Sequence, residues 1–214
     1  MPAARANSVR EGPRHDRDLS GREVLATDTG KTDPKEKTGA QNKMIAYETS
    51  KDAKVLFVGI NPHPGSYRRG VPFSNNKMFW YLLNRAGLLE EAEEDLKDDQ
   101  SLRRIYEDKF LSVYGLNFIN LVNRPTVNVT MLKKREEAAG IRRVLSITRK
   151  YKPRVVCFIG KIAFSKFYGT RKCDWGWQTP IEGVPAYLMH FPIRGPASVR
   201  VKELQELKRA TRIR

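Results

Sequence analysis

A three-layer α/β/α domain on a central, mostly parallel sheet of four strands is the fold that the sequence predicts. Two observations carry this expectation. Short apolar runs rich in β-branched residues alternate with longer segments of helical period, the pattern of a parallel sheet covered on both faces. The alternation fills residues 54–210 of a 214-residue chain, long enough for one domain with its own core.

The first strand is Val55–Ile60 (VLFVGI), broken by Asn61-Pro62. Ser74 and Asn75 are candidate caps for a helix with Phe79, Leu82, Leu83 and Ala86 on one face, closed by Gly87. Glu90–Asp99 holds seven acids and one Lys and reads as an exposed acidic stretch. A helix over Ser101–Leu111 leads to a second strand, Leu116–Val122, with Arg124-Pro125-Thr126 as its exit. Thr130–Tyr151 reads as a long basic helix with Ala138, Ile141, Leu145 and Thr148 inward. Arg154–Ile159 is the third strand, followed by Gly160-Lys161 and a helix to Gly169. Pro185–Met189 is the fourth strand, and Ser198–Ala210 a last helix with Val201, Leu204 and Leu207 inward.

Residues 1–43 contain no Phe, Trp or Tyr and show no sustained period, which predicts a disordered tail ahead of a folded region from 44 to 214. The chain carries 40 Lys+Arg against 24 Asp+Glu, a net charge of +16. Residues 1–50 contribute only +1 of this, whereas Ile141–Trp175 carries +9. The surplus therefore belongs to the folded part and points to a polyanion, most often nucleic acid. No apolar run reaches the ~18 residues of a membrane span, and the N-terminus lacks the apolar core of a signal peptide. Cys157 and Cys173 lack CxxC spacing, which argues against an iron–sulfur cluster, a Cys-based zinc site and a disulfide-stapled secreted domain. The expected location is wherever DNA is kept, nucleoid, cytoplasm or nucleus.

In a parallel α/β sheet the loops after the carboxyl ends of strands form the binding crevice. Four segments should converge there: Asn61–Phe73, Asn120–Thr126, Gly160–Lys161 and His190–Ser198. The first sits in GINPHPGSYRRGVPFSNN, which has no GxxxxGK[ST] phosphate loop and is too long to be a mere turn.

Several spaced motifs then resemble one family, in order and over about residues 54–210. Gly59-Ile60-Asn61-Pro62 looks like the first motif of the mismatch-specific uracil/thymine-DNA glycosylases, a branch of the uracil-DNA glycosylase superfamily. Gly70-Val71-Pro72-Phe73 is similar to that family's Gly-Phe-Pro-Phe, and Phe79-Trp80 to the Phe-Trp of its first helix. Leu121-Val122-Asn123-Arg124-Pro125-Thr126 resembles its Leu-Val-Asp-Arg-Pro-Thr, and Pro153–Lys161 its strand ending in Gly-Lys. Trp175-Gly176-Trp177-Gln178-Thr179 resembles the Trp-Gly-Lys-Gln-Thr of bacterial members.

The resemblance implies an enzyme that flips a base from DNA and cleaves its N-glycosidic bond. It implies Asn61 as the catalytic residue, holding a water for attack at C1′ without acting as a general base. It places Phe73 under the base and Asn120 at its edge, with backbone N–H groups around Ile60 and Phe73 toward its carbonyls. It places Ser66 near C5 of the pyrimidine, which favours uracil over thymine. The fourth loop departs from the family: Phe191 replaces the polar residue before Pro192, and Ile193 replaces Ser. Ile193 and Arg194 are the wedge candidates, with Gly195 beside them. Lys161, Ser198 and Arg200 are candidates for the DNA backbone. His63 and His190 lie on converging loops as possible contacts; with no carboxylate placed beside them, no metal site is expected, and no cofactor. The expected partner is double-stranded DNA holding a damaged or mismatched base, bound by a monomer. Two rival readings stay open: the same fold with hypoxanthine, xanthine or thymine as its base, and a DNA-binding protein with little catalysis.

Overall fold

The computed structural model describes residues 53–213; the expected tail, 1–43, lies outside them. The sheet has five strands in the order β2-β1-β3-β5-β4. These are β1 (Val55–Gly59), β2 (Leu116–Asn120), β3 (Val155–Ile159), β4 (Gly176–Ile181) and β5 (Val184–Met189). β1 pairs in parallel with β2 and β3, and β3 with β5, while β4 runs antiparallel to β5. β1, β2 and β3 are buried at every position, as strands with helices on both faces must be.

One sheet face presents Phe57, Phe118, Cys157 and Met189 to α2 (Met78–Arg85), α3 (Glu93–Lys97), α4 (Asp99–Arg104) and α7 (Ala197–Thr211). The other presents Val58, Ile119, Phe158 and Leu188 to α5 (Ala138–Tyr151) and α6 (Lys161–Tyr168). The three layers are therefore present, with one strand more than expected. That strand, GWQTPI, is an exposed edge with Gly, Pro and polar residues in place of an apolar run. The hairpin joining it to β5 turns on Glu182 and Gly183, both at positive φ (50° and 76°), the conformation of the two-residue turns that suit strand twist.

Other expectations are corrected. The first loop contains a helix, α1 (Pro64–Arg69), with Pro at its first position and Gly70 closing it at φ 71°. Ser74 and Asn75 do not cap α2. Ser74 Oγ donates to Val71 O and Asn75 N to Ser66 Oγ, which closes the first loop, and Asn76 Oδ1 accepts from Met78 N instead. The acidic stretch is not wholly exposed, because it folds into α3 around the buried Leu96. Asp98 then caps α4, which ends in a π-helical turn over Ile105–Lys109. The long helix begins at Ala138 and not Thr130. Arg135 stands at φ 61°, and the Glu136 carboxylate accepts from Arg124 and from Lys133 N, which diverts the chain from helical bonding. Within α5 the fully inward residues are Gly140, Val144 and Thr148, with Ile141 and Leu145 flanking them.

No helix among the described residues is long and apolar enough to cross a membrane.

Candidate active site

The carboxyl ends of β1 and β2 leave the sheet together. Leu121 N donates to Gly59 O (2.9 Å), Val122 N to Ile60 O (2.8 Å) and Thr126 N to Pro62 O (3.1 Å). The parallel ladder thus continues past the last strand residues and ties the first and second loops into one unit. α5 backs this unit at close range: a Cβ on Gly140 would fall 1.8 Å from Leu121 O, so only glycine allows the approach. Arg143 of α5 donates to Asn120 O (2.7 Å) and to Asn123 Oδ1 (2.9 Å).

Asn61 projects from this unit, half-buried. Its Nδ2 donates to Thr126 Oγ1 (2.8 Å) and to Pro62 O (3.1 Å). The direction of the amide follows from its partners. A carbonyl can only accept, and the Thr126 hydroxyl spends its proton on Asn128 O (2.8 Å), so it too accepts from Asn61. The amino side is held twice and Oδ1 is left as an acceptor of fixed orientation. Such a group can hold a water by one of its protons, but it cannot remove a proton from it.

Phe73 lies beside this loop at φ 57°, a left-handed conformation that costs a non-glycine residue about 1–3 kcal/mol. Its neighbours hold it there. Trp80 Nε1 donates to Pro72 O (2.8 Å), and Phe73 packs on Phe79 (4.7 Å between centroids), Phe118 (5.5 Å) and Phe191 (6.0 Å). Asn120, buried at 3% exposure, lies over β1: a Cβ on Gly59 would meet its Oδ1 at 2.4 Å. Gly59 therefore makes room for the Asn120 amide at the end of β1, two residues before Asn61.

The fourth loop is set by α7. Glu203, almost fully buried, takes His190 N on one oxygen (3.0 Å) and His190 Nδ1 on the other (2.6 Å). This corrects the expectation that no carboxylate stands beside the histidines. The Trp175 ring stacks on His190 at 3.6 Å and 22°. Lys161 Nζ lies 4.8 Å over that indole and donates to Cys173 O. Arg200 is buried, and its guanidinium donates to Arg194 O and Gly195 O. It braces the loop between β5 and α7 and has no exposed head to offer a phosphate. Ile193, 51% exposed, stands out with Arg194, Gly195 and Ser198 at the surface.

Two further candidates have structural partners within the first loop. Ser66 is buried in α1, and its Oγ accepts from Asn75 N (2.9 Å), which ties the loop closed. His63 is the N-cap of α1, its Nδ1 accepting from Gly65 N (3.1 Å). Thr126, Glu203, Trp80 and Arg143 carry roles that the sequence did not assign. The available signal was Arg200 and Glu203 falling on the inward stripe of the last helix with Leu204 and Leu207.

Among the described residues no group of three or more His, Cys, Asp or Glu is placed to hold a metal ion. A separate concavity of about 510 Å³, lined by Lys152, Arg154, Val184 and Arg212 among others, lies at the amino ends of β3 and β5, remote from Asn61.

The sequence profile of the uracil DNA glycosylase superfamily matches residues 46–211. That span covers all five strands, the Asn61–Thr126 unit and the loop braced by α7, and the chain belongs to the uracil DNA glycosylase superfamily.

Proposed function

We propose that the protein is a monofunctional DNA glycosylase of the mismatch-specific uracil/thymine type, which flips uracil out of DNA, preferably opposite guanine, and hydrolyses its N-glycosidic bond to leave an abasic site. Superfamily membership supports a DNA glycosylase. The observation that carries the finer reading is the Asn61 amide. Its amino side is anchored on Thr126 and Pro62, so Oδ1 is pre-aimed as an acceptor on the loop that also carries Phe73. Phe73 supplies a stacking face for the extruded base, and Asn120 a donor and an acceptor for its edge. The water held by Asn61 adds at C1′ as the bond to the base breaks.

No group at Asn61 can take the proton from that water at the start. The rate must then come from the departing base and from stabilisation of the cationic sugar, so slow turnover is expected. The loop Gly59–Asn76 contains no Lys for a Schiff base with the sugar, and Lys77 is turned toward Asp99 and Lys97 O. Ile193 and Arg194 are the groups to fill the vacated stack. Lys161 and Ser198 are the candidates for the DNA backbone, and Arg200 holds the loop that carries Ile193 and Arg194.

A panel of duplex and single-stranded oligonucleotides containing uracil, thymine, hypoxanthine or xanthine tests this reading by alkali cleavage after incubation. Abasic product from uracil opposite guanine, faster than from the other bases, is expected. Absence of product from all of them would overturn it.

A further inference from the structure

Gly59 and Asn120 stand at the paired ends of β1 and β2, where the Asn61 loop and its partner loop begin. Two strands further along the same sheet end stands Phe191, which leaves β5 just past Met189. The Phe191 ring meets Phe73 at 6.0 Å and 58°. Behind it lies Gly160, at the end of β3, where a Cβ would stand 3.4 Å from Phe191 Cβ and 3.5 Å from its Cδ2. Phe191 thus reaches from the exit of β5 across the end of β3 toward the exit of β1. Neighbouring strands lie about 4.8 Å apart, so these two exits are about two strand spacings apart, and Phe191 lies against the end of β3 between them. Phe79 and Phe118, the other rings on Phe73, come from α2 and β2 and are buried; Phe191 is half-buried on a loop.

We infer that Phe191 is a specificity-determining residue that limits the base pocket to a single ring, admitting pyrimidines and excluding purines such as hypoxanthine and xanthine. The inference rests on the glycosylase reading and adds to it the residue that sets the choice of base. Two effects act together. The phenyl ring stands where the second ring of a purine would extend past Phe73. It also offers no donor or acceptor, so the N7 and O6 edge of a purine would lose its water without gaining a partner, which costs binding steeply. The loop does not depend on the ring for its shape: Arg194 N donates to Phe191 O (3.3 Å), Pro192 is buried, and Arg200 holds Arg194 O and Gly195 O.

The test is single-turnover excision from duplexes carrying uracil or hypoxanthine, by the full-length protein and by Phe191→Ala and Phe191→Leu. The wild type should excise uracil and leave hypoxanthine essentially untouched. Phe191→Ala should raise the hypoxanthine-to-uracil rate ratio by about tenfold or more, while Phe191→Leu, which keeps the space filled, should hold it near the wild-type value. Circular dichroism establishes that each variant is folded. Competition by free uracil and free hypoxanthine against the wild type reads the same selectivity without a variant, with only uracil expected to compete. Uracil excision with comparable hypoxanthine excision by the wild type, or an unchanged ratio in folded Phe191→Ala, overturns this inference and leaves the uracil reading standing. No excision of any base overturns both.

Discussion

At the scale of single residues, the site depends on which atom of an amide faces which neighbour. On the proposed reading Asn61 holds a water only while its amino side is occupied elsewhere, and Thr126 Oγ1 accepts from that side at 2.8 Å. Thr126→Val keeps the shape and removes the acceptor. It should lower the excision rate by about 10²-fold, the scale of a small misplacement in an active site, and Thr126→Ser should restore most of it. Full activity in Thr126→Val with loss in Thr126→Ser would show that the methyl group and not the hydroxyl matters. Phe73 makes a different point. Its left-handed backbone is held by Trp80 on Pro72 O and by three aromatic neighbours, so Trp80→Phe should weaken excision although the indole touches no substrate. Full excision activity in Trp80→Phe would show that this hydrogen bond is dispensable.

At the scale of elements, two helices decide where the loops stand. α7 sends Glu203 to the backbone and side chain of His190, and Arg200 to the wedge loop. Glu203→Leu leaves the His190 N–H without its acceptor and should destabilise the fold by about 1–3 kcal/mol in urea denaturation. The segment before α5 is tied by a two-pronged bond between Arg124 and Glu136. Those bonds hold the Glu136 carboxyl at about 2, below its ordinary 4.5. A carboxylate lowered in the folded state stabilises it above the unfolded value and loses that contribution as pH falls through the folded one. Glu136→Gln should therefore flatten the loss of thermal stability between pH 4.5 and about 2; an unchanged acid limb would count against this bridge.

Legibility at this scale followed apolarity. β1, β2 and β3 were legible because each is an uninterrupted buried run, and β5 because it is buried at every position but Pro185. β4 was not, because an exposed edge strand needs no apolar run, and its signal was the Glu182-Gly183 turn. α1 was hidden by Pro64-Gly65, which reads as a turn. The roles proposed for Asn61, Phe73 and Asn120 came from motif resemblance, and all three lie on the strand ends and loops at the carboxyl edge of β1 and β2. Thr126 and Glu203 could not be read locally, since their partners lie 65 and 13 residues away.

At the scale of the whole molecule, the charge surplus needs to be divided by location. α5 runs from the Asn61 end, where Gly140 meets Leu121, to the amino end of β3. Of the basic side chains between Ile141 and Trp175, Arg143 is turned inward, Lys166 pairs with Glu137 and Arg149 with Glu182. Lys152 and Arg154 stand at the far end of the sheet. The run is therefore no continuous stripe beside the crevice, and the share near the site falls to Lys161, Arg171 and Lys172 with Arg68 and Arg194. Charge reversal at Arg171 and Lys172 should weaken duplex binding and reduce its dependence on salt, whereas reversal at Lys150 and Lys152 should do neither to the same degree. Fluorescence anisotropy across a salt series separates the two outcomes.

The central claim is that Asn61 performs the chemistry of base excision from a pre-aimed side-chain oxygen. Single-turnover excision of uracil opposite guanine, with duplex affinity measured in parallel, tests it in Asn61→Ala against the wild type. A fall in rate of about 10²–10³-fold with affinity largely kept is predicted; excision at the wild-type rate would contradict it.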